Sequence, residues 1–209
     1  PIFNWTGFYV GANAGYAWGR TRATDIVASN GLCWFVCGSE WATDVDGFTG
    51  GLQAGWNYQV QNWVVGVEGD VGYLGVDGVG VNPFGGGGTT VVETRGGWFA
   101  TLRGRAGVLV SPTTLAYVTG GGIYADTRTN VHTITGAPVP ISTSKADGFG
   151  WTVGAGFEMA ADPTWSWKLE YLYYDLGSDR VGGVCCGGGV IQYFNVKQTG
   201  HIVRLGLNR

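Results

Sequence analysis

The chain has 209 residues, a formal net charge of −3 and only 13 % charged residues, about half the share of an ordinary soluble domain. Its Lys and Arg are scattered, which excludes a nucleic-acid-binding stripe, and no run of about 18 apolar residues exists to make a transmembrane helix. Forty glycines beside 10 Trp, 10 Tyr and 9 Phe point instead to one β domain over residues 1–209, with a surface that does not meet water everywhere.

From Phe8 the chain alternates with period two, Phe8, Val10, Ala12, Ala14, Tyr16 and Trp18 against Gly7, Tyr9, Gly11, Asn13 and Gly15, which is a strand with one apolar and one small or polar face. A second segment, 47–59, sets Phe48, Leu52, Ala54, Trp56 and Tyr58 against Thr49, Gly51, Gln53 and Asn57. The third, 63–75, sets Trp63, Val65, Val67, Val71 and Tyr73 against Gly66, Glu68, Asp70 and Gly72. The fourth, 96–109, sets Trp98, Ala100, Leu102, Ala106 and Val108 against Thr101, Arg103, Arg105 and Gly107.

In the fifth, 115–127, Leu115, Tyr117 and Ile123 form the apolar set, opposite Gly120, Gly122, Tyr124 and Asp126. The sixth, 148–159, carries Phe149, Trp151, Val153, Ala155, Phe157 and Met159 opposite Thr152, Gly154, Gly156 and Glu158. The seventh, 165–175, carries Trp165, Trp167, Leu169, Tyr171 and Tyr173 opposite Lys168, Glu170 and Tyr174. The eighth, 193–208, sets Val203, Leu205 and Leu207 against Gln198, Gly200, Arg204 and Gly206.

Short connections (60–62, 110–114, 160–164) alternate with long ones (20–46, 76–95, 128–147, 176–192), so turns gather at one end and loops at the other. An even count of eight antiparallel strands with that asymmetry predicts an all-β, up-and-down transmembrane barrel with short periplasmic turns and long extracellular loops.

A soluble barrel would place the apolar face inside, and a membrane barrel would place it outside. The polar face decides between them. It holds Glu68, Asp70, Glu158 and Glu170 with Arg103, Arg105, Lys168 and Arg204, four acids and four bases diluted by glycine. Charges enclosed in a narrow barrel must balance, since a buried charge robbed of its partner costs about 3–5 kcal/mol. These eight are therefore expected to form one connected ionic plug in a cramped, hydrated lumen lined by glycines and Asn13. The outward aromatics sort into two girdles around an aliphatic band. Trp56, Tyr58, Trp63, Tyr117 and Trp167 fall near the short turns, and Tyr16, Trp18, Phe48, Trp98, Trp151 and Tyr173 near the loops, as two bilayer interfaces require.

Asn4-Trp5-Thr6-Gly7-Phe8-Tyr9-Val10-Gly11, Gly51-Leu52-Gln53-Ala54-Gly55-Trp56, Val65-Gly66-Val67-Glu68-Gly69-Asp70 and Val203-Arg204-Leu205-Gly206-Leu207-Asn208 carry a resemblance. They resemble the outer-membrane immunogenic, opacity-like porin family of small barrels from alpha-class Gram-negative bacteria. The resemblance covers the chain except the long loops. It implies an eight-stranded barrel in the outer membrane with both termini on the periplasmic side. Proteins of that family usually finish on an aromatic residue and this sequence stops at Arg209, so either a terminal Phe follows or the assembly signal differs. The start at Pro1 matches a mature form after leader cleavage.

No catalytic constellation is expected, because the inward acids lack a nucleophile or a wet cleft. No cofactor is expected either: His132 and His201 are not spaced to share a metal. Eight strands leave room for side chains and little else, which argues against solute passage. Cys33, Cys37, Cys185 and Cys186 lie in turn-like stretches and read as disulfide candidates in an oxidising compartment, as two local bridges or as a staple between the first and fourth loops. Trp34 and Phe35, apolar groups in a presumed extracellular loop, are candidates for contact with a second copy or a surface protein. Outer-membrane lipid and lipopolysaccharide are the expected surroundings. The function read from these features is a structural envelope barrel displaying its loops; a receptor or adhesin, haem binding included, and a narrow low-conductance porin are the alternatives.

Overall fold

Period-two alternation over most of the chain leaves the backbone one way to pair its polar groups, and in a computed structural model every regular element among the described residues is a strand. The structure describes residues 3–26, 31, 38, 40–81, 89–135, 137–185 and 190–209, without the side chains of 89–92, 129–135, 137–147, 181–185 and 190–192. The strands are β1 (Gly7–Ile26), β2 (Glu40–Val60), β3 (Trp63–Val81), β4 (Thr89–Arg95), β5 (Trp98–Ser111), β6 (Thr114–Thr135), β7 (Ala137–Ala160), β8 (Ser166–Cys185) and β9 (Val190–Asn208).

All pairings are antiparallel. The sheet closes where β1 meets β9, from Gly11 opposite Asn208 to Ile26 opposite Tyr193, so those strands present no free edge. Gly15 marks how close this seam is, since a Cβ there would strike the Val203 carbonyl and Arg204 Cα. Eight strands are expected from the sequence and nine are found among the described residues, because Gly96 and Gly97 interrupt one of them. β4 and β5 share a single place between β3 and β6. Hydrogen bonds of 2.7 Å from Leu74 N to Gly97 O and from Gly96 N to Val76 O carry the β3 side across the break.

Stretches expected to be long loops are largely strand: β3 runs to Val81, β6 to Thr135, and β7 starts at Ala137. A strand crosses the hydrocarbon in about 9–11 residues, whereas β6 has 22 and β7 has 24. Beyond that height the outward side chains include Arg20, Arg22, Asp44, Asp77 and Arg128. Backbone pairing continues there while the apolar alternation that betrays it in sequence stops.

Outward positions follow the membrane reading, with Phe8, Phe48, Leu102 and Phe149 each more than 70 % exposed. Two expectations are corrected. The fifth segment faces the other way: Leu115, Tyr117 and Ile123 are buried inside, and Val118 is 60 % exposed outside. Directly paired residues share a face, so inward Gly107 brings Tyr117 inward with it, and Arg105 does the same for Thr119. Nor is the lumen a uniformly hydrated space. Above the ionic layer, Leu74, Val76, Phe99, Ile123, Leu172, Tyr174 and Ile202 belong to one buried apolar cluster. Trp5, Val64, Leu115 and Tyr117, with Phe3 and Leu109 against them, close the short-turn end.

Candidate functional site

The eight charged residues singled out in the sequence come from five strands: Glu68 and Asp70 from β3, Arg103 and Arg105 from β5, Glu158 from β7, Lys168 and Glu170 from β8, and Arg204 from β9. Each sits on the inward parity of its strand, and none keeps more than 6 % exposure. Register places them at one height, with Glu68 directly opposite Arg103, Glu158 opposite Lys168, and Glu170 opposite Arg204.

Arg103 is the hub. Its Nη2 donates to Glu68 Oε1 and to Asp70 Oδ2, both at 2.6 Å, and its Nη1 lies 3.2 Å from Glu170 Oε1. Lys168 Nζ straddles Glu68 at 2.8 Å from both carboxylate oxygens. Arg204 bridges Asp70 at 3.0 Å and Glu170 at 2.6 Å. Arg105 Nη2 donates to Glu158 Oε2 at 2.7 Å and approaches Glu68 at 3.8 Å, joining the last pair to the rest. Four acids and four bases thus form one continuous, charge-balanced network, the arrangement an enclosed interior demands.

Neutral residues complete it. Tyr9 donates to Glu68 at 2.6 Å and accepts from Arg105 at 3.0 Å. Tyr117 donates to Glu170 at 2.9 Å, and the Arg105 guanidinium lies over its ring, 4.1 Å from the centroid. Glu158 Oε1 accepts from Ser166 at 2.6 Å and Asn208 at 2.8 Å, and Gln53 links Asn208 to Asn13. Sequence reasoning missed these partners because charge balance counts only charges. The signal that could have found Tyr117 was the short turn at 112–113, which sets the β5/β6 register and puts Tyr117 opposite two glycines, Gly107 and Gly156, whose missing side chains make room for its ring.

Every carboxylate here meets a cation through at least one oxygen, and of their oxygens Asp70 Oδ1 is the one buried without a hydrogen-bond partner. What this layer does chemically is tie five strands together and fill the bore.

Cys33, Cys37, Cys186, Trp34 and Phe35 lie outside the described residues, and Cys185 ends β8 with its side chain outside them too. His201 points outward from β9. It stacks on Trp18, with ring centroids 5.5 Å apart, and its Nδ1 is 2.6 Å from the Tyr171 hydroxyl.

Residues 4–208 match the family model described as outer membrane protein beta-barrel domain. The chain is 36 % identical over 207 residues to the 31 kDa outer-membrane immunogenic protein of Brucella melitensis, covering 99 % of this chain and 83 % of that one. It is 33 % identical over 178 residues to the 22 kDa outer membrane protein of Rhizobium leguminosarum, covering 85 % and 67 %. Among solved structures, the outer membrane protein OprG of Pseudomonas aeruginosa shares the fold, with a TM-score of 0.59 at 12 % identity over 100 % of this chain and 98 % of that one. An inside-out sheet closed around balanced charge, matched along nearly its whole length by outer-membrane proteins of Gram-negative bacteria, makes this chain a member of the outer-membrane β-barrel protein family, located in the cell outer membrane.

Proposed function

We propose that the protein is a structural, non-enzymatic component of the envelope, a sealed peg that spans the outer membrane and displays its loops for contact with other proteins. The observation that carries this reading is the filled bore. A balanced ionic layer is followed by a tightly buried apolar cluster that includes Phe99, Leu172 and Tyr174, each at most 1 % exposed, and an ion would have to displace both. The named immunogenicity of the Brucella relatives supports the display of surface loops. Trp34 and Phe35 remain the residues proposed to make loop contacts, which add to the envelope role and are not required for it.

Two measurements test this. Purified protein in planar bilayers is expected to show no stable open step. Deleting the gene is expected to sensitise cells to detergent, with rescue by a chain lacking 28–38. A steady conductance would favour the narrow porin, and rescue that depends on 28–38 would favour the receptor or adhesin.

A further inference from the structure

The outward rungs of the β1/β9 seam change chemistry in order along the barrel. Ala14 opposite Leu205 is hydrocarbon, Trp18 opposite His201 is aromatic, and Arg22 opposite Lys197 is cationic. From Phe8, at the short-turn end of β1 opposite Trp56 of the lower girdle, to Trp18 is ten residues, about 33 Å of strand at ~3.3 Å per residue. With a strand tilt of about 35–45° this rises about 25 Å, the height of an outer-membrane apolar band. Arg20 and Arg22 therefore stand roughly 5–10 Å above the upper girdle, the level of lipid headgroups.

At that level outward charges of both signs stand on the wall. On β2 and β3, Asp46 lies directly opposite Asp77, which is in turn opposite Arg95 of β4, and Arg95 faces Arg128 of β6. On β1 and β9, Arg22 lies directly opposite Lys197, with Arg20 one rung below, while Arg180 of β8 stands one rung above, opposite Asn195, and turns away over the Tyr193 ring. Like charges facing each other across a sheet repel, and an anion between them relieves the repulsion. Their acidic partners stand to the sides: Glu40 is 3.6 Å from Arg22 on the β2 flank, and Asp175 is 3.1 Å from Lys197 on the β8 flank. Beside them is a recess of about 280 Å³ lined by Trp18, Gly19, Arg20, Arg22, Asp44, Thr199 and His201, in which Asp44 is bonded to Arg20 at 2.7 Å.

We propose that this seam is a binding site for the phosphorylated headgroup of lipopolysaccharide. Arg22 and Lys197 clamp a phosphate, Trp18 and His201 form the shelf beneath the sugar, and acyl chains descend over Ala14 and Leu205. The inference rests on the outer-membrane location and not on the sealed-peg reading, so the conductance test leaves it untouched.

The test uses the full chain folded in detergent, titrated with rough lipopolysaccharide and followed by tryptophan fluorescence. Dephosphorylated lipopolysaccharide is expected to bind at least about tenfold more weakly. Each cation near an anionic surface contributes roughly fivefold, and Glu40 and Asp175 offset part of it, so Arg22→Gln with Lys197→Gln should weaken the phosphorylated form about tenfold. It should leave the dephosphorylated form unchanged, and Asp77→Asn should change neither. Raising salt should weaken binding of the phosphorylated form to the parent chain, a readout that needs no variant. Equal affinity for both forms, or an unaffected double variant, overturns the site. Equal affinity for phosphatidylglycerol overturns the assignment to lipopolysaccharide. A double variant that changes only the oligomeric state would instead assign the seam to a contact between copies.

Discussion

Replacing Glu158 by Gln keeps the shape of the side chain and removes one of the four negative charges of the ionic layer. Arg105, whose guanidinium is 2.7 Å from Glu158, is then left with Glu68 at 3.8 Å as its nearest acid. Both side chains are at most 4 % exposed, so water does little to screen the loss. Stripping the partner from a buried charge costs about 3–5 kcal/mol, or roughly two to three and a half powers of ten in the unfolding equilibrium. With a urea slope on the order of 2–3 kcal/mol/M, the midpoint should fall by about 1–2 M. Arg105→Met should cost a similar amount. The double variant returns the layer to three acids and three bases and should recover at least half of the loss. Recovery stays incomplete, because Arg105 also holds Tyr9 and lies over Tyr117. The assay is urea unfolding in lipid vesicles by tryptophan fluorescence, checked by mobility on unboiled gels. Single variants within about 0.5 kcal/mol of the parent, or strictly additive losses, would refute the claim that these charges depend on each other.

Gly15→Val pushes a side chain into the backbone of β9 at the closing seam and should destabilise the barrel by about 1–3 kcal/mol, read from the same urea curves. In the turn before β8, Asp162 accepts from Thr164 N at 2.7 Å, Thr164 Oγ1 at 2.8 Å and Trp165 N at 2.9 Å, and these bonds, the Thr164 backbone bond first, hold its carboxyl below its ordinary value of 3.8. A depressed carboxylate stabilises the fold above its unfolded pKa and loses that contribution as pH falls through the folded one. Asp162→Ala should therefore lower the urea midpoint at pH 7, and the gap from the parent should close as pH drops below 3.8. Alkylation without prior reduction, followed by mass measurement, should label none of Cys33, Cys37, Cys185 and Cys186, and labelling of any would count against disulfides in the loops.

Much of the site was legible before any coordinates. Acids and bases sit on the parity opposite the apolar side chains in the third, fourth, sixth, seventh and eighth segments, and an enclosed set of that kind must balance. Glu68, Asp70, Arg103, Arg105, Glu158, Lys168, Glu170 and Arg204 could be named because charge in a barrel interior is rare enough to stand out. Tyr117 was misplaced because Ala116 and Val118 beside it are also apolar, so both parities of 115–118 fit a lipid face. Only the pairing of Tyr117 with inward Gly107 breaks the tie. The apolar cluster of Leu74, Val76, Phe99 and Leu172 escaped notice for a related reason, since a period of two separates the faces without saying how many layers stack along the bore.

From the sequence alone came the inside-out arrangement, the membrane, the ionic layer and the closure of first strand on last, all properties that follow from local alternation and charge balance. The tertiary structure decided which cations meet which acids, where the bore turns apolar, how far the strands continue past the bilayer, and that Arg22 faces Lys197 across the closing seam. These depend on register between strands far apart in the chain. A shift of one residue there moves every side chain to the other face while leaving each segment's own pattern unchanged.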